Sequence, residues 1–373
     1  MSVLAIDASI EFTGDRASWI GDAAAHAESR GMTEQRAKTA SLPDCYSWLM
    51  FASKLWMGTI CLLVLARGQP VILAGVEAQT AHLRSRIESS PELPVERIEI
   101  AVNLPKGEEM GMVSWMAYDP KTGTTWILQR GDKAEPVIAV NKEGRVLHSF
   151  GKGLFKIPHS IRLGPHWNVW TVDAGNSRII EFAPDGDELL HFDVDDQEQT
   201  ANGGFSGATD IAFASGGRIF ISDGYIHARI LGYRADGKKL REWGGAGSRP
   251  GEFHLPHCVV VDEKNDVLYV ADRENGRIER FDLNGKYLGA IAGLGRVYSL
   301  QLGAKGTLWA AMSQFDKPPG SPGWIVELDR TTGRILGHIS VPDTPGLHCL
   351  EMHGDGQPMT DIGSKVVWFK HSE

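Results

Sequence analysis

Short runs rich in Val, Ile, Leu and aromatic residues alternate with clusters of Gly, Asp and Asn along most of the chain. The clearest stretch is 253–281, FHLPHCVVVDEKNDVLYVADRENGRIERF. It predicts a strand opening at His257, a polar turn over Asp262 to Asp266, and a second strand ending at Asp272. A tight loop, Arg273 to Gly276, then leads to a third strand from Ile278. Period-two alternation between turn residues specifies antiparallel strands rather than helix.

The unit recurs. From Val113 onward strand, turn, strand, loop, strand, Asp-Gly-type turn and strand follow one another in the same order. First strands are placed at Ser114, His159, Thr209, His257, Ser299 and His348, at intervals of 42 to 50 residues. Four strands at that period predict a blade of a β-propeller, and six copies predict six blades. The last copy stops after three strands, while Val95 to Leu104 stands unassigned ahead of the first. That segment is expected to supply the missing outer strand and close the ring, which removes an exposed edge. The fold class is therefore all-β, with residues 95–370 forming one propeller.

Residues 1–90 read as an N-terminal extension. Within it, 55–66 (LWMGTICLLVLA) is too short to span a bilayer but has the length of a signal-peptide apolar region. Val76-Glu77-Ala78 would serve as the cleavage site, with Met50 as an alternative start. If 50–78 is such a leader, the protein is secreted or periplasmic; if it is a helix packed beside the main domain, the protein is cytoplasmic. No stable membrane span is expected, and the chain is read as a monomer.

Composition adds little beyond exclusions. With 38 Lys+Arg against 47 Asp+Glu and no basic run, nucleic acid is not expected as a partner. Four cysteines without a CxxC spacing exclude a disulfide framework. The D-x-x-N-x-R element after the second strand, at Asp173/Asn176/Arg178 and Asp272/Asn275/Arg277, resembles the NHL repeat. Partial copies occur at Asp223 with Arg229 and at Asp361. An Asp repeated in four blades reads as structural, capping loop N–H groups.

Candidate chemistry lies where the blades differ. Three innermost strands open on histidine: His159, His257 and His348, in blades two, four and six. Alternate blades are related by pseudo-threefold symmetry, so the three imidazoles are expected to meet on the axis. Three neutral His with an open position is a catalytic zinc arrangement. On the same face the connecting loops carry Arg130, Tyr225 and Arg273. Two arginines beside a metal suit a carboxylate-bearing substrate, and a tyrosine near cations can have its pKa lowered towards use as a base. Taken singly, Arg130 could instead pair with Asp132, and Tyr225 could pack on the rim. The long Pro/Gly-rich loop Phe315 to Gly323 is placed to cover the channel mouth as a lid, or else is a solvated insertion.

LFKIPHS, ISDGY, FHLPHC and LYVADRENGRI closely resemble the peptidyl-α-hydroxyglycine α-amidating lyases, themselves six-bladed propellers, over about Val113 to Phe369. The resemblance implies a catalytic zinc on His159, His257 and His348, an active-site tyrosine at Tyr225, and substrate-binding arginines at Arg130 and Arg273. It implies cleavage of a C-terminal α-hydroxyglycine to a peptide amide and glyoxylate, on a small carboxylated or peptide substrate. The family's second ion is a structural calcium on the axis. Its acidic residue is replaced here by Cys349, and Gly346 stands where the family has methionine. The family's cysteines near the tyrosine and the DRENGR loop are replaced too, with Ile226, Tyr269 and Arg280 in those regions. Residues 1–90 do not read as a monooxygenase domain, so hydroxyglycine is expected to come from elsewhere. Two rivals remain: a metal-dependent lactonase-like hydrolase, whose sites are richer in carboxylates, and a non-catalytic propeller that binds a peptide or protein.

Overall fold

Six four-stranded antiparallel sheets follow one another along the chain in the computed structural model. It describes residues 76–194, 205, 207–303, 306–316, 320–342, 344 and 346–372. The apolar segment 55–66 lies outside the described residues, as does the rest of 1–75. Five sheets are continuous in sequence, covering 113–150, 158–193, 208–244, 256–291 and 296–341. In the sixth, Leu350–Met352, Pro358–Ile362 and Lys365–His371 are joined by Val95–Ile100, which pairs antiparallel with Lys365–His371. The ring is therefore closed by the N-terminal strand, which ends at Ile100 rather than Leu104. Strand pairing beyond it is reduced to an isolated bridge, Asn103 to Arg145.

Burial explains the strand order. Innermost strands such as Val113–Asp119 and Pro256–Asp262 are covered on both faces and read as nearly continuous apolar runs. The outermost strands Val146–Phe150 and Glu188–Asp193 are largely exposed, so their sequences carry charged and polar residues. The Asp-Gly and Asn-Gly turns before the outer strands place Gly186, Gly237 and Gly285 at φ of +100°, +79° and +87°. An L side chain is strained in that region, which is why these turns recur as a sequence signal.

Three of the repeated aspartates hold their blade's entry to its own second strand. Asp173 accepts from the backbone N–H of Lys156 (3.0 Å) and Ile157 (2.7 Å), from Gly175 N–H, and from Asn176. Asp272 accepts from His254 N–H at 2.7 Å and from the side chains of Asn275 and Arg277. Asp361 accepts from Cys349 N–H at 2.7 Å. These carboxylates thus cap the incoming connection, and that fixes where the innermost strands of these three blades begin.

An element absent from the sequence reading precedes the ring. A helix over 76–88 buries Leu83 and Ile87 in the main core cluster, beside Ile291, Leu294 and Val297. Arg86 donates to the carbonyls of Ala292, Gly293 and Gly333, and Arg84 donates to Gln314 Oε1 at 2.9 and 3.0 Å. Val76-Glu77-Ala78 forms the first turn of this helix. Because Leu83 is fully buried, Leu83→Ala should cost about 2–5 kcal/mol in urea unfolding. A loss below about 0.5 kcal/mol would mean that the helix is not seated on the blades.

Candidate metal centre

The innermost strands share one irregularity that aims their side chains. Pairing to the second strand skips a residue between Val113 and Trp115, Pro158 and Ser160, Ala208 and Asp210, Pro256 and Cys258, and Val297 and Ser299. The skipped residues are Ser114, His159, Thr209, His257 and Tyr298. A bulge of this kind leaves one residue unpaired and re-aims its side chain. In the fifth blade the equivalent position is therefore Tyr298, one residue before the Ser299 expected from the repeat. His348 holds the corresponding place just ahead of Leu350–Met352.

His159, His257 and His348 converge. Their ring centroids are 4.8–4.9 Å apart in all three pairs, and one ligand atom from each lies within 4.8 Å of the others. The even blades supply the imidazoles and the odd blades hold them. His159 Nδ1 lies 2.6 Å from Thr209 O, His257 Nδ1 2.7 Å from Tyr298 O, and His348 Nδ1 2.7 Å from Ser114 O. A carbonyl only accepts, so each Nδ1 carries the proton and Nε2 is the nitrogen suited to a metal. Backbone carbonyls in this role fix both tautomer and ring orientation of ligating histidines. Burial pushes His159 and His257 well below the ordinary imidazole value, with His348 adding to the shift, so both are neutral. Neutral nitrogen donors suit zinc.

Tyr225, Arg130 and Arg273 are brought to the same place. The Tyr225 hydroxyl is 2.9 Å from His159 Nε2 and 3.5 Å from His257 Nε2. Its loop crosses close to the next blade: a Cβ at Gly224 would fall 2.0 Å from Pro256 O, so only glycine fits there. The N–H groups of Gly224 and Tyr225 both donate to Gly207 O. Arg130 N–H donates to Met112 O and Arg273 N–H to Leu255 O, each two residues before its blade's bulge. The two arginines therefore hold equivalent positions in blades one and four, on opposite sides of the ring.

Their side chains differ in commitment. Arg130 Nε donates to Pro158 O at 2.9 Å rather than pairing with Asp132, and its Nη2 is buried without a hydrogen-bond partner among the described residues. Arg273 Nε donates to Glu274 at 2.8 Å, and Glu274 also accepts from Arg296 at 2.7 Å. Burial raises the Tyr225 phenol above its ordinary value, while Arg273 and Arg130 pull the other way. Burial thus outweighs the two arginines at this phenol.

Three neighbours were not foreseen. Tyr298 stacks beside the Arg273 guanidinium, which is 5.2 Å from its ring centre, and packs against His257. Phe205 packs on Tyr225 with ring centres 4.3 Å apart. Trp115 lies 5.6–6.3 Å from all three imidazoles. The loop Phe315 to Gly323 is tied at its base by Arg296 donating to Phe315 O and Gln314 donating to Ser321. Residues 317–319, on which a lid depends, lie outside the described residues.

Comparisons agree with this architecture. A family model described as a 6-bladed β-propeller matches residues 205–336. The rat peptidylglycine alpha-amidating monooxygenase is 36% identical over 148 residues, covering 38% of this chain and 15% of that protein. A probable peptidyl-alpha-hydroxyglycine alpha-amidating lyase of Caenorhabditis elegans is 31% identical over 150 residues, covering 39% and 42%. The matches thus span less than half the length of either relative. Among solved structures, a streptogramin B lyase superposes with a TM-score of 0.54 at 15% identity, over 74% of this chain and 98% of its own, which supports the fold alone. The chain is a six-bladed β-propeller whose sequence is similar to that of the peptidyl-α-hydroxyglycine α-amidating lyases.

Proposed function

We propose that this chain is a zinc-dependent lyase that cleaves the C–N bond of a C-terminal α-hydroxyglycine, or of a similar carboxylated α-hydroxy amide, to an amide and glyoxylate. The observation that carries it is the set of three imidazoles held on their Nδ1 side by backbone carbonyls, with the Tyr225 hydroxyl 2.9 Å from one Nε2. His159, His257 and His348 would hold the ion. Zinc, when bound, supplies a Lewis acid that lowers the pKa of a hydroxyl it meets.

The protein groups account for the rest of the reaction. Arg130 has a buried guanidinium nitrogen without a partner among the described residues, a donor suited to a substrate carboxylate. Arg273, braced by Glu274, faces it from the opposite blade and would stabilise anionic charge on the same group. Tyr225 is placed to take the hydroxyl proton as the carbonyl of glyoxylate forms and the C–N bond breaks. A proton returned to the departing nitrogen leaves the neutral amide, so the step consumes no water and no oxidant. For Tyr225 to accept a proton it must first lose its own, and Arg130 and Arg273 both favour the phenolate.

The test joins two measurements on the purified full chain: elemental analysis and glyoxylate release from α-hydroxyhippurate. About one zinc per chain with metal-dependent glyoxylate formation is expected. Stoichiometric zinc without glyoxylate release would redirect the site to another substrate. Absence of any tightly held transition metal would sink the reading and favour a non-catalytic propeller.

A further inference from the structure

Beneath the histidines the hub is filled by side chains that the reaction above does not use. One residue past each bulge, and past His348, the strands present Trp115, Ser160, Asp210, Cys258, Ser299 and Cys349, all fully buried. Into this ring reaches Arg162, two residues beyond Ser160. Its fork grips Asp210 with both arms, Nη2 to Oδ2 at 2.7 Å and Nε to Oδ1 at 3.1 Å. Nη2 also lies 3.4 Å from Cys258 Sγ, and Nη1 lies 3.9 Å from Glu351. The guanidinium carbon stands 4.9 Å from the centre of the Trp115 ring, which in turn packs against all three imidazoles. A continuous column therefore runs from Asp210 through Arg162 and Trp115 to His159, His257 and His348.

An axial calcium does not fit this ring. Calcium takes six to eight oxygen ligands. The ring's one carboxylate, Asp210, already has both oxygens engaged by Arg162 and accepts Val259 N–H as well. Cys349 offers sulfur rather than oxygen, and that sulfur already accepts from Met116 N–H at 3.2 Å. A divalent ion here would also face a buried guanidinium, which stays charged.

We propose that Arg162, held by Asp210 and stacked on Trp115, is the fixed cation of this hub: it stands in for a bound calcium and forms the floor on which the histidine site is assembled. Calcium independence follows from the side chains alone; only the link to metal occupancy rests on the zinc reading above. Trp115 transmits the position of Arg162 to the imidazoles, so Arg162 is a positioning residue without contact to substrate.

The first experiment uses the wild-type full chain, dialysed against EGTA and melted with and without millimolar calcium chloride, with calcium measured by elemental analysis. Negligible calcium and an unchanged Tm are expected. About one calcium per chain, or a Tm that rises with calcium, would overturn the proposal without touching the lyase reading. The second experiment measures zinc affinity of Arg162→Met by chelator competition, with Leu83→Ala as a control. Arg162→Met should weaken zinc binding by about tenfold or more, the usual effect of removing a group that orients metal ligands. Leu83→Ala should lower Tm and leave zinc affinity unchanged. Arg162→Lys, which keeps the charge but loses the fork, should recover part of the affinity. Should Arg162→Met not fold, Arg162→Lys is compared with wild type, and unchanged zinc affinity there counts against the positioning role. Unchanged affinity in a folded Arg162→Met does the same.

Discussion

Replacing His257 by alanine should remove zinc and turnover together. His257 contributes one of three candidate ligands, and its ring is oriented through Nδ1 by the Tyr298 carbonyl. Two remaining imidazoles cannot hold the ion as three do, so metal content should fall to a small fraction of wild type and glyoxylate release to background. The substitution also removes the hydrogen bond from His257 Nδ1 to the Tyr298 carbonyl, at a cost of about 0.5–1.5 kcal/mol. His257 touches the main core cluster only at its edge, beside Trp115 and Cys258, and the ring closure lies elsewhere, so the protein should remain folded, with a lowered Tm. A folded His257→Ala that keeps stoichiometric zinc would exclude His257 as a ligand. A variant that loses zinc yet keeps turnover would separate the metal from the reaction.

The second large effect is expected at Tyr225. Tyr225→Phe deletes the hydroxyl that lies 2.9 Å from His159 Nε2 and keeps the ring that packs on Phe205. Zinc content should stay near wild type, while kcat should drop by about 10²–10⁴, the range for removing a positioned acid–base group. KM should change little, because the arginines that would hold the carboxylate are untouched. Full activity in Tyr225→Phe would remove the base assignment and leave the metal centre standing. Loss of zinc in this variant would instead make the hydroxyl part of the metal's own support.

The contrast between these residues and those that escaped the sequence reading has a physical basis. The three histidines were legible because they recur at the same register in every other repeat, and register survives in sequence even when geometry does not. Arg130, Tyr225 and Arg273 were legible for the opposite reason, since each interrupts a loop that otherwise repeats. Tyr298 was missed because the bulge that aims it adds one residue to the strand, and period-two alternation carries no mark of that insertion. Ser299, the neighbour chosen in its place, points into the ring below. Arg162 sits in SIRL, where a charged residue within a strand reads as solvent-facing. Its partners Asp210 and Trp115 lie on neighbouring blades, and no local pattern links them. The helix over 76–88 is masked in the sequence because its first turn, Val76-Glu77-Ala78, also has the pattern of a cleavage site.

The pairing of Val95–Ile100 with Lys365–His371 has a consequence for how the molecule comes into being. A chain emerging from the ribosome makes Val95–Ile100 well before its partner and must leave it bare until Lys365–His371 has been synthesised. Through that interval the growing arc has two sticky borders, each able to recruit a foreign strand. His348 belongs to the same late-arriving sheet, so the third imidazole comes into place only as the circle shuts. Metal capture would then report on completion, and a product ended prematurely before Lys365 should neither close nor load.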